Sequence, residues 1–103
     1  DNISPSKIEN LLCLNEKIQQ CFVYGDKKTY LVALIVSDSE ENKKQIEDYL
    51  ENLNKSLSSV EKVKKFKLIK EEFTIQNGML TPTLKLKRKK ILENYKQDLE
   101  KLY

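Results

Sequence analysis

Ile8, Leu11 and Leu12 follow Ser4-Pro5-Ser6 at a spacing that gathers them on one face of a helix. Two starts are open to that helix: Ser4 as N-cap with Pro5 in the first position, or Ser6 and Glu9 as a capping box. Lys17 to Tyr24 and Tyr30 to Val36 are rich in β-branched and aromatic residues. Gly25-Asp26-Lys27-Lys28 separates them, which predicts an antiparallel hairpin. The run Leu31 to Val36 has no polar alternation, so it reads as a central strand covered on both faces. Ile46, Tyr49, Leu50 and Leu53 then recur at three and four, predicting an amphipathic helix from Glu40 to Leu53. Ser59 is placed to cap a shorter helix with Val60, Val63 and Phe66 inward, and a third strand follows at Phe66-Lys67-Leu68-Ile69. Asn77-Gly78 signals a tight turn with both residues at positive φ, joining Phe73-Thr74-Ile75 to Met79-Leu80 as a second, small hairpin. A last helix from about Arg88 to Leu102 would bury Ile91, Leu92, Tyr95, Leu99 and Leu102. This order predicts an α+β fold: a small antiparallel sheet of about three strands flanked by helices, plus a short hairpin.

Composition narrows this picture little but usefully. The 103 residues suit one domain, and 39% apolar content with five Tyr and three Phe is enough for a core. The net charge of +3 is mild, so basic character must act locally. It concentrates from Lys85 to Lys90, where only Leu86 is uncharged, and again between Lys62 and Lys70; Glu40, Glu41, Glu47, Asp48 and Glu51 make the middle acidic. Cys13 and Cys21 are not a C-x-x-C pair, and with no histidine they cannot complete a four-ligand zinc site. They read as reduced, semi-buried thiols of a cytosolic protein. The longest apolar run is far short of the roughly 20 residues of a membrane span, and no charged-then-apolar leader opens the chain, so the domain reads as soluble. Its abrupt opening next to a helix start reads as a piece of a longer chain.

The stretch with chemical content is Thr81-Pro82-Thr83-Leu84-Lys85. Pro82 fixes its own φ and pushes Thr81 out of the helical region, so Lys85 is delivered on a short stiff loop ahead of the last helix. With no histidine, no Gly-rich phosphate loop and no nucleophile beside a base, the chain supplies a cation and not a whole catalytic site. One rival reading makes Lys85 to Lys90 the phosphate-binding helix start of a nucleic-acid module. The low net charge, the lack of interleaved aromatics and the core role of Ile91, Leu92 and Tyr95 weigh against it. A protein-interaction module is the other alternative.

Asn2-Ile3-Ser4-Pro5 with Ile8-Glu9 at one end, and Leu80-Thr81-Pro82-Thr83-Leu84-Lys85-Leu86-Lys87-Arg88 near the other, together resemble the C-terminal domain of adenylate-forming enzymes. More narrowly they resemble the long-chain fatty acid–CoA ligases. Tyr24-Gly25-Asp26, the run from Tyr30 to Ile35, Asn77-Gly78 and Leu102-Tyr103 fit the same pattern, which is loose only from about Asp38 to Leu57. The resemblance implies a two-step reaction: ATP and a fatty acid give acyl-adenylate and pyrophosphate, and the thiol of coenzyme A then displaces AMP. It implies that Lys85 is the catalytic lysine, contacting ATP and acyl-adenylate, and that Asn2, Ile3 and Ser4 line the coenzyme A channel after the domain swings. It further implies a large N-terminal domain as partner, holding most of the ATP site and Mg2+, no nucleic-acid partner, and a cytoplasmic setting with an option of peripheral membrane contact. The isolated domain would be inactive. Lys62, Lys64, Lys65 and Lys67 could meet the 3′-phosphate of coenzyme A, although a solvated face is the better reading. One departure stands out: the wider superfamily carries glycine just before the lysine, and here that residue is Leu84.

Overall fold

The computed structural model describes residues 4–25 and 27–103, so the predicted channel residues Asn2 and Ile3 lie outside the described residues. Strand β2, Leu31–Val36, is the axis of the fold, with all six residues buried. Strand alternation sends Leu31, Ala33 and Ile35 into one core and Val32, Leu34 and Val36 into another. Strand β1, Gln20–Tyr24, pairs antiparallel with β2, from Gln20 opposite Val36 to Tyr24 opposite Val32. That is the predicted hairpin, begun three residues later than the composition indicated. Strand β3, Val63–Ile69, takes the opposite edge of β2 and runs parallel to it. The α+β class and the three strands stand as expected, but the sheet, ordered β1-β2-β3, is mixed. Parallel neighbours need a long crossover. A single 3-10 turn, Glu40–Asn42, and helix α2, Lys43–Asn54, provide it.

Helices cover both faces. Helix α1, Pro5–Leu12, and α2 place Ile8, Leu12, Ile46 and Leu50 against the first face, while helix α3, Arg88–Glu100, places Ile91 and Leu99 against the second. Of the two possible starts for α1, the Ser4-Pro5 start is the one formed. Ser4 is extended at φ −105°, and its carbonyl accepts from the backbone N–H groups of Lys7 and Ile8. The Ser6–Glu9 capping box does not form, because the Glu9 carboxylate turns inward instead, accepting from the Val23 backbone N–H at 2.8 Å.

Two predicted elements are corrected. No helix follows Ser59: the segment turns through a Ser58–Glu61 contact and enters β3 at Val63. The backbone of β2 must be satisfied on both edges once it is buried. That demand captures Val63, whose N–H and C=O are both held by the Asn54 side-chain amide at 3.0 and 2.8 Å. Val60, expected inside, is 42% exposed. The second correction concerns residues 73–80. Phe73 pairs with a side chain and not with a strand, since the Gln20 amide both accepts from its N–H and donates to its carbonyl, at 2.7 and 2.9 Å. Gly78 alone has positive φ in the turn (+81°), while the Asn77 carboxamide oxygen gathers the N–H groups of Thr74 and Met79. The small hairpin that does form lies further on, around an antiparallel bridge between Leu80 and Leu86.

The end of the chain folds back on the first hairpin. The Tyr103 hydroxyl donates to the Tyr30 carbonyl at 2.8 Å and its ring lies 5.0 Å from that of Tyr30, while the Tyr30 hydroxyl donates to the Leu102 carbonyl. Gly25 makes this possible. It sits at φ +142°, and a Cβ there would stand 2.6 Å from the Tyr103 hydroxyl and 2.8 Å from the Tyr30 carbonyl oxygen. The strained φ and the collision with fixed backbone act together, so Gly25→Ala should lower unfolding free energy by about 2 kcal/mol or more, read from denaturant titration.

Candidate functional site

The site is the turn that carries Lys85. The Leu80–Leu86 bridge closes its base, reinforced by the Lys87 N–H donating to the Met79 carbonyl at 2.8 Å. Inside the loop, Thr81 organises the chain. Its N–H donates to the Lys85 carbonyl, its carbonyl accepts from the Leu84 N–H, and its hydroxyl oxygen accepts from the Lys85 N–H at 3.0 Å. The hydroxyls of Thr81 and Thr83 lie 3.1 Å apart. Four residues are thus reversed by bonds that converge on one threonine, with Pro82 stiffening the corner. Leu84 absorbs the remaining rotation at φ +66°, the left-handed region, with its side chain 67% exposed. Glycine adopts that conformation without penalty, and leucine does so at a cost of roughly 1–2 kcal/mol. The departure noted in the sequence therefore falls on a strained position, and the loop keeps its shape in spite of it.

Lys85 emerges exposed, and among the described residues no carboxylate pairs with its ammonium group. Other cations are engaged. Lys67 binds Asp98 at 3.0 Å, Lys28 binds Glu100 at 3.3 Å, and Lys64 lies over the Tyr30 ring. Lys62, Lys64 and Lys65 face a groove that Glu47 and Glu51 also line, which favours the reading of that cluster as a compensated, solvated face.

Arg88, the first residue of α3, anchors the turn from behind. Its guanidinium forks onto Glu9 of α1, with Nη1 to Oε2 at 3.0 Å and Nη2 to Oε1 at 2.5 Å. It also reaches the Ser6 hydroxyl at 3.4 Å and lies over the Phe22 ring, 5.7 Å from its centre. A bidentate arginine–carboxylate pair fixes orientation as well as distance. The lysine turn and the first turn of α1 are thereby tied together, and a groove of about 550 Å³ runs between them, lined in part by Ser6, Glu9, Lys85 and Arg88. Ser6 lines this groove. Ser4 is exposed just ahead of it, and its hydroxyl makes no capping bond. Sequence reasoning missed the Glu9–Arg88 pair. The one hint was a carboxylate beside the apolar stripe of α1, since Glu9 follows Ile8 and precedes Leu12.

Cys13 and Cys21 also line this groove. They are not alike: Cys13 is exposed and Cys21 is buried, with their sulfurs 3.6 Å apart and no disulfide between them.

Comparison with known proteins identifies the family. The AMP-binding enzyme C-terminal domain family matches residues 1–103, and the chain belongs to that family. Among curated relatives, the long-chain-fatty-acid–CoA ligase 6 of Rattus norvegicus is 36% identical over 98% of this chain and 18% of its own length. The long-chain-fatty-acid–CoA ligase FadD15 of Mycobacterium tuberculosis is 30% identical over 99% of this chain and 21% of its own length. The chain thus spans about a fifth of the length of the curated relatives it matches. Among solved structures, the A-PCP didomain of the carboxylic acid reductase from Segniliparus rugosus, in complex with AMP, superposes with a TM-score of 0.85 at 30% identity, covering 98% of this chain and 16% of that one. The unliganded O-succinylbenzoate coenzyme A synthetase of Bacillus subtilis shares the fold at a TM-score of 0.61 and 19% identity, covering 96% of this chain and 18% of that one.

The left-handed residue gives a direct test of the turn. Leu84→Gly should leave stability unchanged or raise it by up to about 1 kcal/mol, because relief of strain outweighs the added freedom of the unfolded chain. Leu84→Val should lower it by about 1 kcal/mol, since a β-branched residue fits positive φ less well. Thermal unfolding of the two variants checks the order; a less stable glycine variant would contradict it.

Proposed function

We propose that this chain is the mobile C-terminal domain of an AMP-forming long-chain fatty acid–CoA ligase and that Lys85 is its adenylation lysine. The observation that carries the reading is the exposed ammonium of Lys85, on a turn braced by Thr81 and anchored by Arg88, without a carboxylate partner among the described residues. The named ligase relatives and the AMP-bound structural neighbour support the class of reaction.

In the first step, a fatty acid carboxylate oxygen attacks the α-phosphorus of ATP and pyrophosphate leaves. Anion approaches anion, and negative charge grows on the bridging oxygen as its bond to phosphorus breaks. A fixed ammonium at that oxygen offsets both, and a positioned donor in a comparable oxyanion setting is worth about 10² to 10³ in rate. Phosphoryl and nucleotidyl chemistry depends on such positioning more than on covalent participation. In the second step the thiol of coenzyme A attacks the acyl carbon and AMP departs. That step separates less charge at the phosphate, so Lys85 matters less to it. Before that step a rotation of the domain presents the segment ahead of α1, with Asn2, Ile3 and Ser4, to the pantetheine arm.

The nucleotide phosphate loop and the acyl pocket belong to a large N-terminal domain outside this sequence. Mg2+ would be held mainly by that larger domain; among the described residues no group of three or more His, Cys, Asp or Glu side chains is placed to hold a metal ion. The setting proposed is cytoplasmic, with peripheral contact to the membrane in which long acyl chains partition.

The test is Lys85→Ala in the full-length enzyme. Fatty-acid-dependent exchange of pyrophosphate into ATP should fall by about 10² to 10³, while thioester formation from premade acyl-adenylate and coenzyme A stays within a few-fold of the parent. Equal retention of both would assign the catalytic cation elsewhere.

A further inference from the structure

Cys13 and Cys21 play no part in the ligase chemistry, yet the fold brings them together at the wall of the groove that Lys85 occupies. Eight residues apart in sequence, they come from different elements: Cys13 caps the C-terminal end of α1, and Cys21 lies in β1 opposite Ile35. Their sulfurs are 3.6 Å apart, and a disulfide needs about 2.05 Å. We propose that Cys13 and Cys21 form a reversible redox-modification site, closed to an intramolecular disulfide by exchange with a small aliphatic disulfide such as oxidised glutathione.

The two thiols are unequal in the way this exchange requires. Cys13 is exposed, so an incoming disulfide can reach it, while Cys21 is 3% exposed and waits beneath it. The hydrogen bond shared with Cys21 draws the Cys13 thiol below the usual range, against burial and the nearby Glu9 charge. The same contact, together with burial, pushes the Cys21 thiol up. The attacking group is thus the exposed thiol with the greater thiolate character, and the buried one resolves. In the first step the Cys13 thiolate attacks one sulfur of the small disulfide, breaks its S–S bond and releases one thiolate, leaving a mixed disulfide on Cys13. Cys21 gives its proton to that released thiolate, attacks the Cys13 sulfur and expels the second thiolate, which takes up from water the proton that Cys13 gave up on ionising. The protein loses two electrons, and one small disulfide becomes two thiols.

The geometry also predicts the structural consequence. The Cys21 thiol points at the Glu9 backbone carbonyl, 3.6 Å away, and the side chain of Glu9 holds Arg88. Closing the bond fixes the end of α1 to β1 beside the residue on which the lysine turn is anchored. The proposal is independent of the role given to Lys85, because its readout is covalent.

The experiment treats the full-length protein with oxidised glutathione and maps Cys-containing peptides by mass spectrometry. The expected product is a Cys13–Cys21 cross-link lighter by two hydrogens, removed by dithiothreitol, with complete loss of Cys13 alkylation by iodoacetamide. In Cys21→Ser the reaction should stop at a glutathionyl group on Cys13, and in Cys13→Ser no modification should appear on Cys21. A parent protein that accumulates the glutathionyl group on Cys13 with Cys21 still reduced, or in which Cys13 stays unmodified by oxidised glutathione while remaining open to iodoacetamide, overturns the proposal.

Discussion

The Glu9 carboxylate is the point on which the functional end of this domain depends. It is 7% exposed, and an ionised group that deep is tolerated only when its oxygens are satisfied. Three donors meet it: the Val23 N–H from β1 and both arms of the Arg88 guanidinium from α3. Two neighbouring elements and a third 79 residues further along the chain are thereby locked at one point. Because Arg88 lies only three residues beyond Lys85, the lock also sets where the lysine turn stands relative to α1. The Arg88 side chain is itself 40% exposed and lines the groove, so the pair is anchored on the protein side and open on the groove side.

The rest of the fold supplies a rigid base for that arrangement. Strand β2 divides its side chains between two cores, one closed by α1 and α2 and the other by α3. The second core holds Met79 and Leu80, which lead into the lysine turn, and Ile91, which follows it. Both ends of the turn are therefore fixed by apolar packing, and only the tip from Thr81 to Lys85 is free of the core. On such a base a left-handed leucine is tolerable, since the cost of roughly 1–2 kcal/mol is met by bonds that Thr81 makes on either side of it.

What could be read from the sequence was what local pattern determines. The three helices, the first hairpin, the doubly covered central strand and the Thr-Pro-Thr turn all follow from periodicity, composition or proline geometry within a few residues. What escaped depends on partners distant in sequence. The start of β3 is set by Asn54 and by the open edge of β2, so the helical spacing of Val60, Val63 and Phe66 misled. The turn at Asn77 is shaped by Gln20 holding Phe73 from 53 residues away. Glu9 and Arg88 are 79 residues apart, and each has an innocuous local reading, as a capping residue and as one cation of a run. The candidate lysine was visible in the sequence; the distant contacts that hold its turn were not.

Under the proposed function, this turn holds Lys85 toward the reacting phosphate. The most direct measurement is a crystal structure of the full-length enzyme with a stable acyl-adenylate analogue, in the conformation that carries out the first step. The Lys85 ammonium should lie within about 3 Å of a phosphate or bridging oxygen of the analogue, with the Glu9–Arg88 fork intact behind it. A structure in which Lys85 faces solvent and another cation of the run makes that contact would contradict it.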